Sequence, residues 1–95
     1  AGAEAPSLFY LQVSPTPFSE QLRADFALPE GKARVQARLL NLYGLPMAER
    51  ALREVAANQR HRFTFDGEGL PNGIYLLQLL ADGELLGVRK AVKAN

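Results

Sequence analysis

Apolar residues recur at every second position in this chain, in short runs divided by turn residues at a spacing of about ten positions. That period is the signature of strands, whose side chains point alternately to opposite faces, and it does not fit a helix. The clearest instance begins at Leu70-Pro71-Asn72-Gly73-Ile74-Tyr75, a turn that runs straight into an alternating segment. Tyr75, Leu77 and Leu79 share one face of that segment, and Ile74, Leu76, Gln78 and Leu80 share the other. Both faces are largely apolar, which predicts a central strand covered on both sides.

The other segments repeat the pattern. Phe9, Leu11 and Val13 alternate until Ser14-Pro15-Thr16-Pro17 removes backbone donors and ends the pairing. Leu22, Ala24, Phe26 and Leu28 line one face of the next run, and Pro29-Glu30-Gly31 turns the chain. Val35, Ala37 and Leu39 alternate with Arg34, Gln36 and Arg38, and Asn41-Leu42-Tyr43-Gly44 breaks that strand. Met47, Ala51, Leu52 and Val55 fit two patterns. Propensity alone favours a helix, whereas a short strand and an irregular link fit better between two strands. His61, Phe63 and Phe65 alternate with Arg60, Arg62 and Thr64, and Asp66-Gly67-Glu68-Gly69 turns again. Asp82-Gly83 favours a tight hairpin into 85–93. The expected fold is all-β: a small immunoglobulin-like antiparallel sandwich of six or seven strands. Its core is expected to hold Phe26, Leu39, Phe63, Phe65, Tyr75 and Leu79.

The 95 residues make one domain at most. Residues 1–7 are small and polar with Pro6, and read as the end of a linker; 8–95 read as the domain. An alanine at position 1 implies a chain processed or cut from something longer. Residues 1–7 have neither the basic start nor the apolar run of a signal peptide. At 47% hydrophobic the chain is not of disordered composition. It has no cysteine, hence no disulfide and no thiolate chemistry. A net charge of +1 is too small for a global nucleic-acid field. No apolar stretch approaches the roughly 20 residues that span a bilayer.

Little in the sequence points to catalysis. His61 is the only histidine, and without cysteine it cannot build a zinc site alone. Ser7, Ser14 and Ser19 all lie early, none in a nucleophile elbow. Asp66, Glu68, Asp82 and Glu84 sit in two turns without calcium-loop spacing, so they read as turn formers. Neither a metal nor a cofactor is implied. Tyr10, Tyr43 and Tyr75 are candidates for a sugar-stacking platform, with Tyr75 also fitting a core position whose hydroxyl reaches a turn. Arg34, Arg38, Arg60 and Arg62 would form a basic stripe if their strands pair, extended by Arg89, Lys90 and Lys93. The same arginines also fit a solvated sheet face that resists edge pairing.

Four motifs in order resemble the type A C-terminal sorting domain of the Bacteroidota type IX (Por) secretion system. Pro15-Thr16-Pro17 with Phe18 resembles its opening Pro-Asn-Pro, and Asn41-Leu42-Tyr43-Gly44 its Asn/Asp–apolar–apolar–Gly segment. Leu70-Pro71-Asn72-Gly73-Ile74-Tyr75 with Leu79 is similar to its Leu-Pro-x-Gly-x-Tyr-x-x-x-Leu motif. Lys90-Ala91-Val92-Lys93 resembles its basic–apolar ending. The resemblance covers about 11–93 and departs at Thr16, where the family has asparagine and threonine caps backbone amides less well.

The resemblance implies a non-catalytic address. The parent protein would pass through the periplasm and the outer-membrane type IX translocon to the cell surface or medium. A sortase-like cysteine peptidase would often remove the domain. Arg89, Lys90, Val92 and Lys93 are then the expected recognition residues, and Pro15, Pro17, Asn41, Gly44, Leu70, Pro71, Gly73, Tyr75 and Leu79 the structural ones. A final strand at a sheet edge would offer a receptor both backbone pairing and basic side chains. The alternative reading is a structural or carbohydrate-binding accessory sandwich of a secreted hydrolase.

Overall fold

A computed structural model describes residues 9–94. The linker reading of 1–7, and Ser7 with it, lie outside the described residues. The described residues form strands β1 (Tyr10–Ser14), β2 (Gln21–Ala27), β3 (Lys32–Leu40), β4 (Pro46–Val55), β5 (His61–Asp66), β6 (Gly73–Ala81) and β7 (Glu84–Lys93). One sheet has the order β1-β2-β5 and the other β4-β3-β6-β7. Every strand pair is antiparallel. This is the expected immunoglobulin-like β-sandwich, with seven strands.

The alternating apolar residues meet between the layers. Leu22, Ala24 and Phe26 of β2 face Val35, Ala37 and Leu39 of β3 and Tyr75, Leu77 and Leu79 of β6 within one buried cluster. All six expected core residues are buried. Phe26 stacks on Phe63, ring centroids 5.2 Å apart. Each such side chain contributes about 1.5–3 kcal/mol by leaving water. Phe18, in the loop after β1, is also fully buried. Its amide donates to the Val92 carbonyl at 2.8 Å, and its carbonyl accepts from the Ala94 amide at 2.9 Å.

The turns follow their residues. Asp82 and Gly83 have φ of 49° and 86°, the geometry of a two-residue hairpin turn. The turn is pinned to β3, because the Arg34 amide donates to Asp82 Oδ1 at 3.0 Å. Gly67 sits so close to the loop after β1 that an added Cβ would lie 2.5 Å from the Ser19 carbonyl oxygen.

Three expectations are corrected. Residues 46–55 form one ten-residue strand, neither a helix nor a short strand with a link. Its register against β3 runs from Lys32–Val55 to Leu40–Pro46, with a shift at Leu39/Leu40. Backbone pairing along β3 outweighs the helix propensity of Met47, Ala48, Glu49, Arg50, Ala51 and Leu52. β6 is central in its sheet, but only its Tyr75–Leu77–Leu79 face is covered. Ile74 on the opposite face is 38% exposed, because the described residues form two layers and no third. The arginines do not make one stripe: β3, with Arg34 and Arg38, and β5, with Arg62, belong to different sheets.

Candidate interaction surfaces

The two outer faces differ in chemistry. The three-stranded sheet presents Tyr10, Gln12, Arg23, Asp25, Arg62 and Thr64, by alternation with its buried residues. Arg62 Nε lies 2.6 Å from Asp25 Oδ1, and that hydrogen bond holds the exposed guanidinium even more firmly protonated. The Arg60 guanidinium sits 4.5 Å from the centre of the Tyr10 ring. This is a solvated face.

The four-stranded sheet presents a different surface. Register and alternation place Leu40 on β3, Ile74, Leu76 and Leu80 on β6, and Leu85, Val88 and Val92 on β7 on its outer side. Leu40, Leu76, Leu80 and Val92 are half-buried; Ile74, Leu85 and Val88 are exposed. Polar groups are interspersed in this patch: Gln78 between Leu76 and Leu80, Lys90 between Val88 and Val92, and Gln36, Arg34 and Arg38 on β3, with Arg38 Nε 3.3 Å from Glu49 Oε2.

The patch continues into the β3–β4 turn, where Leu42 and Leu45 are exposed and Tyr43 is 90% exposed. Asn41 builds that turn. Its Oδ1 accepts from the Tyr43 amide at 2.9 Å and the Leu45 amide at 3.0 Å. Gly44 closes it at φ 83°. Pro71 and Gly73 shape the approach to β6, with Gly73 at φ 148°, and Leu70 packs against the core.

The expected recognition residues separate. Arg89 and Lys90 are exposed and Val92 is half-buried. Lys93 is only 4% exposed and turns inward, lining a groove with Ser19, Glu20 and Glu68, so it is not displayed. β7 is an edge strand, as strand addition requires, yet its Val92 carbonyl and the Ala94 amide just beyond it are bonded to Phe18. No residue pattern announces that bridge, because it joins the loop after β1 to the end of β7.

The remaining candidates hold ordinary positions. Tyr75 is buried at 3% exposure and its hydroxyl donates to the Pro71 carbonyl, the core reading of that residue. With Tyr10 under Arg60 and Tyr43 at a turn of the other sheet, the tyrosines form no platform. His61 stacks on Phe26 at 5.3 Å, with Nε2 3.2 Å from the Ala56 carbonyl. Asp66 Oδ1 accepts from the Glu68 amide at 3.0 Å, as a turn former does. Among the described residues no group of three or more His, Asp or Glu side chains is arranged to hold a metal. No helix of the described residues is long and apolar enough to cross a membrane.

Comparisons with protein-family models and with curated proteins find no match. A solved structure of a β-glucosidase from Listeria innocua in complex with glucose is similar, with a TM-score of 0.58 and 15% identity. The alignment covers 99% of this chain and 17% of that one. The likeness is one of fold: a small β-sandwich that corresponds to a minor part of a longer glycosidase chain.

Proposed function

We propose that this domain is a non-catalytic accessory sandwich that packs against an adjoining domain of a larger secreted protein. The contrast between its outer faces carries this reading. A sheet face where leucines, valines and an isoleucine outnumber the interspersed Gln78, Arg38 and Lys90 suits contact with protein, whereas the opposite, polar face suits water. The glycosidase likeness supports it, since there the same fold occupies a small share of a long chain. Scattered tyrosines favour a structural role over carbohydrate binding.

The test uses the full-length protein and the isolated domain. Leu76→Lys with Leu80→Glu should leave the isolated domain folded and split one unfolding transition of the full-length protein into two. Unchanged coupling in the full-length protein would reject the reading. Calorimetric titration of the isolated domain with glucose and a soluble β-glucan should give no binding heat; saturable binding would favour the carbohydrate-binding form of the accessory role.

A second reading, the type IX sorting signal, is favoured by one observation. The motif Leu70-Pro71-Asn72-Gly73-Ile74-Tyr75 works as a unit, with the Pro71 carbonyl holding the Tyr75 hydroxyl. In this reading the translocon and the sortase-like peptidase are the partners, and Arg89 and Lys90 supply the exposed charge. A reporter fused to the domain should reach the surface of a type IX-competent cell. Delivery that survives Arg89→Ala with Lys90→Ala would remove those residues from the signal, and no delivery of the unaltered fusion would end the reading.

A further inference from the structure

Two arginines occupy equivalent positions on opposite sides of the sandwich. Arg50 lies on β4 and Arg89 on β7, the two edges of the four-stranded sheet. Arg50 pairs with Ala37 and Arg89 with Leu77, so both leave the inner side of that sheet. Each reaches across to an edge strand of the other sheet. Arg50 Nε donates to the Thr64 carbonyl on β5 at 3.2 Å. Arg89 Nε donates to the Leu11 carbonyl on β1 at 3.0 Å. Each also turns Nη1 back onto its own strand, to the Glu49 carbonyl at 2.9 Å and the Val88 carbonyl at 2.9 Å.

These four carbonyls belong to the four edges of the sandwich. Successive residues of a strand direct their backbone groups to opposite sides. The Gly67 amide bonds to the Glu20 carbonyl and the Asp82 amide to the Arg34 carbonyl, which fixes the phase of both sheets. Thr64, Leu11, Glu49 and Val88 then point their carbonyls away from the one strand that each edge pairs with. An incoming strand needs those acceptors. On β7 the Phe18 bridge takes a further one, the Val92 carbonyl.

We infer that Arg50 and Arg89 are edge guards that deny strand addition to a second copy of this chain. A planar guanidinium suits the task, since its fork of donors serves two acceptors at once and remains charged at any accessible pH. A lysine at the same place offers a point charge and no fixed fork.

Sedimentation velocity across a concentration series would compare the unaltered protein with Arg50→Ala/Arg89→Ala and with Arg50→Lys/Arg89→Lys. The alanine pair should self-associate at least ~10-fold more tightly than the unaltered protein, and the lysine pair to an intermediate degree. Hydrogen exchange on the associated form should slow the outward amides of a guarded edge: Val88 and Lys90 on β7, Glu49 and Ala51 on β4, Leu11 on β1 or Thr64 on β5. Association that leaves those amides fast overturns the inference, because it would run through the apolar sheet face. A folded alanine pair that associates no more than the parent overturns it too. If the alanine pair unfolds, the lysine pair decides: no gain in association, or failure to fold, assigns the arginines to holding the seams alone.

Discussion

The Tyr75 hydroxyl donates to the Pro71 carbonyl at 2.5 Å, so the first inward residue of β6 is tied to the turn that delivers it. Tyr75→Phe keeps the ring in the core and loses this bond. The stability loss should be about 1 kcal/mol in urea unfolding, with the Pro71 carbonyl left to find water.

Alkaline pH tests the same residue. Burial raises the Tyr75 pKa above the ordinary 10.0. The unfolded chain therefore gives up this proton first as pH rises. The stabilisation is complete below about pH 10 and is lost on raising pH through the folded-state value. Unfolding midpoints measured from pH 8 to 11 should fall more steeply for the parent than for Tyr75→Phe. Parallel curves would show that another group governs the alkaline loss.

Phe18→Ala should destabilise the domain by about 3–5 kcal/mol, the cost of removing a fully buried aromatic side chain. The ring lies 6.3 Å from that of Tyr75 and 3.1 Å from where a Cβ on Gly67 would sit, so the cavity would open between the first loop and β6. Chemical denaturation gives the number. A loss below about 1 kcal/mol would mean that the loop collapses into the space.

Gly67→Ala and Gly87→Ala make a paired test of close approach. A methyl at Gly67 meets the Ser19 backbone at 2.5 Å, and one at Gly87 meets the Phe9 ring at 3.0 Å. Backbone held by the Phe18 bridge cannot yield, whereas the partly exposed Phe9 ring can swing aside. Gly67→Ala should cost about 1–3 kcal/mol and Gly87→Ala less, as read by thermal melting.

Asn41→Ala should cost about 0.5–2 kcal/mol by removing both side-chain bonds within the β3–β4 turn. Amide exchange at Tyr43 and Leu45 should accelerate while β6 stays protected. Acceleration across both strands instead would mean that the turn holds the whole hairpin together.

The elements legible from the chain are those where one residue pattern has one physical solution. Leu22, Ala24 and Phe26, or Val35, Ala37 and Leu39, can bury a face only as period-2 strands, and Asp82-Gly83 suits a two-residue turn. What was illegible depends on partners distant in sequence. β4 looks helical until β3 offers it a row of backbone acceptors. Lys93 reads as a displayed cation until the Phe18 bridge draws the end of β7 under the Ser19–Glu20 loop. The arginines of β3 and β5 look like one stripe until the topology assigns those strands to separate layers. The apolar outer side of β6 was visible as Leu76 and Leu80; the sequence holds no mark that tells a covered face from one awaiting a partner.

The bond from Phe18 to Val92 also dictates when the molecule can be finished. The loop after the first strand obtains its backbone partner from the last strand, so contacts of long sequence separation must form late. While the polypeptide is being synthesised, the Phe18 backbone lacks these partners until β7 emerges. Completion of this domain is thus coupled to synthesis of β7, and a nascent chain stalled just short of that strand would leave the first loop without its backbone partner.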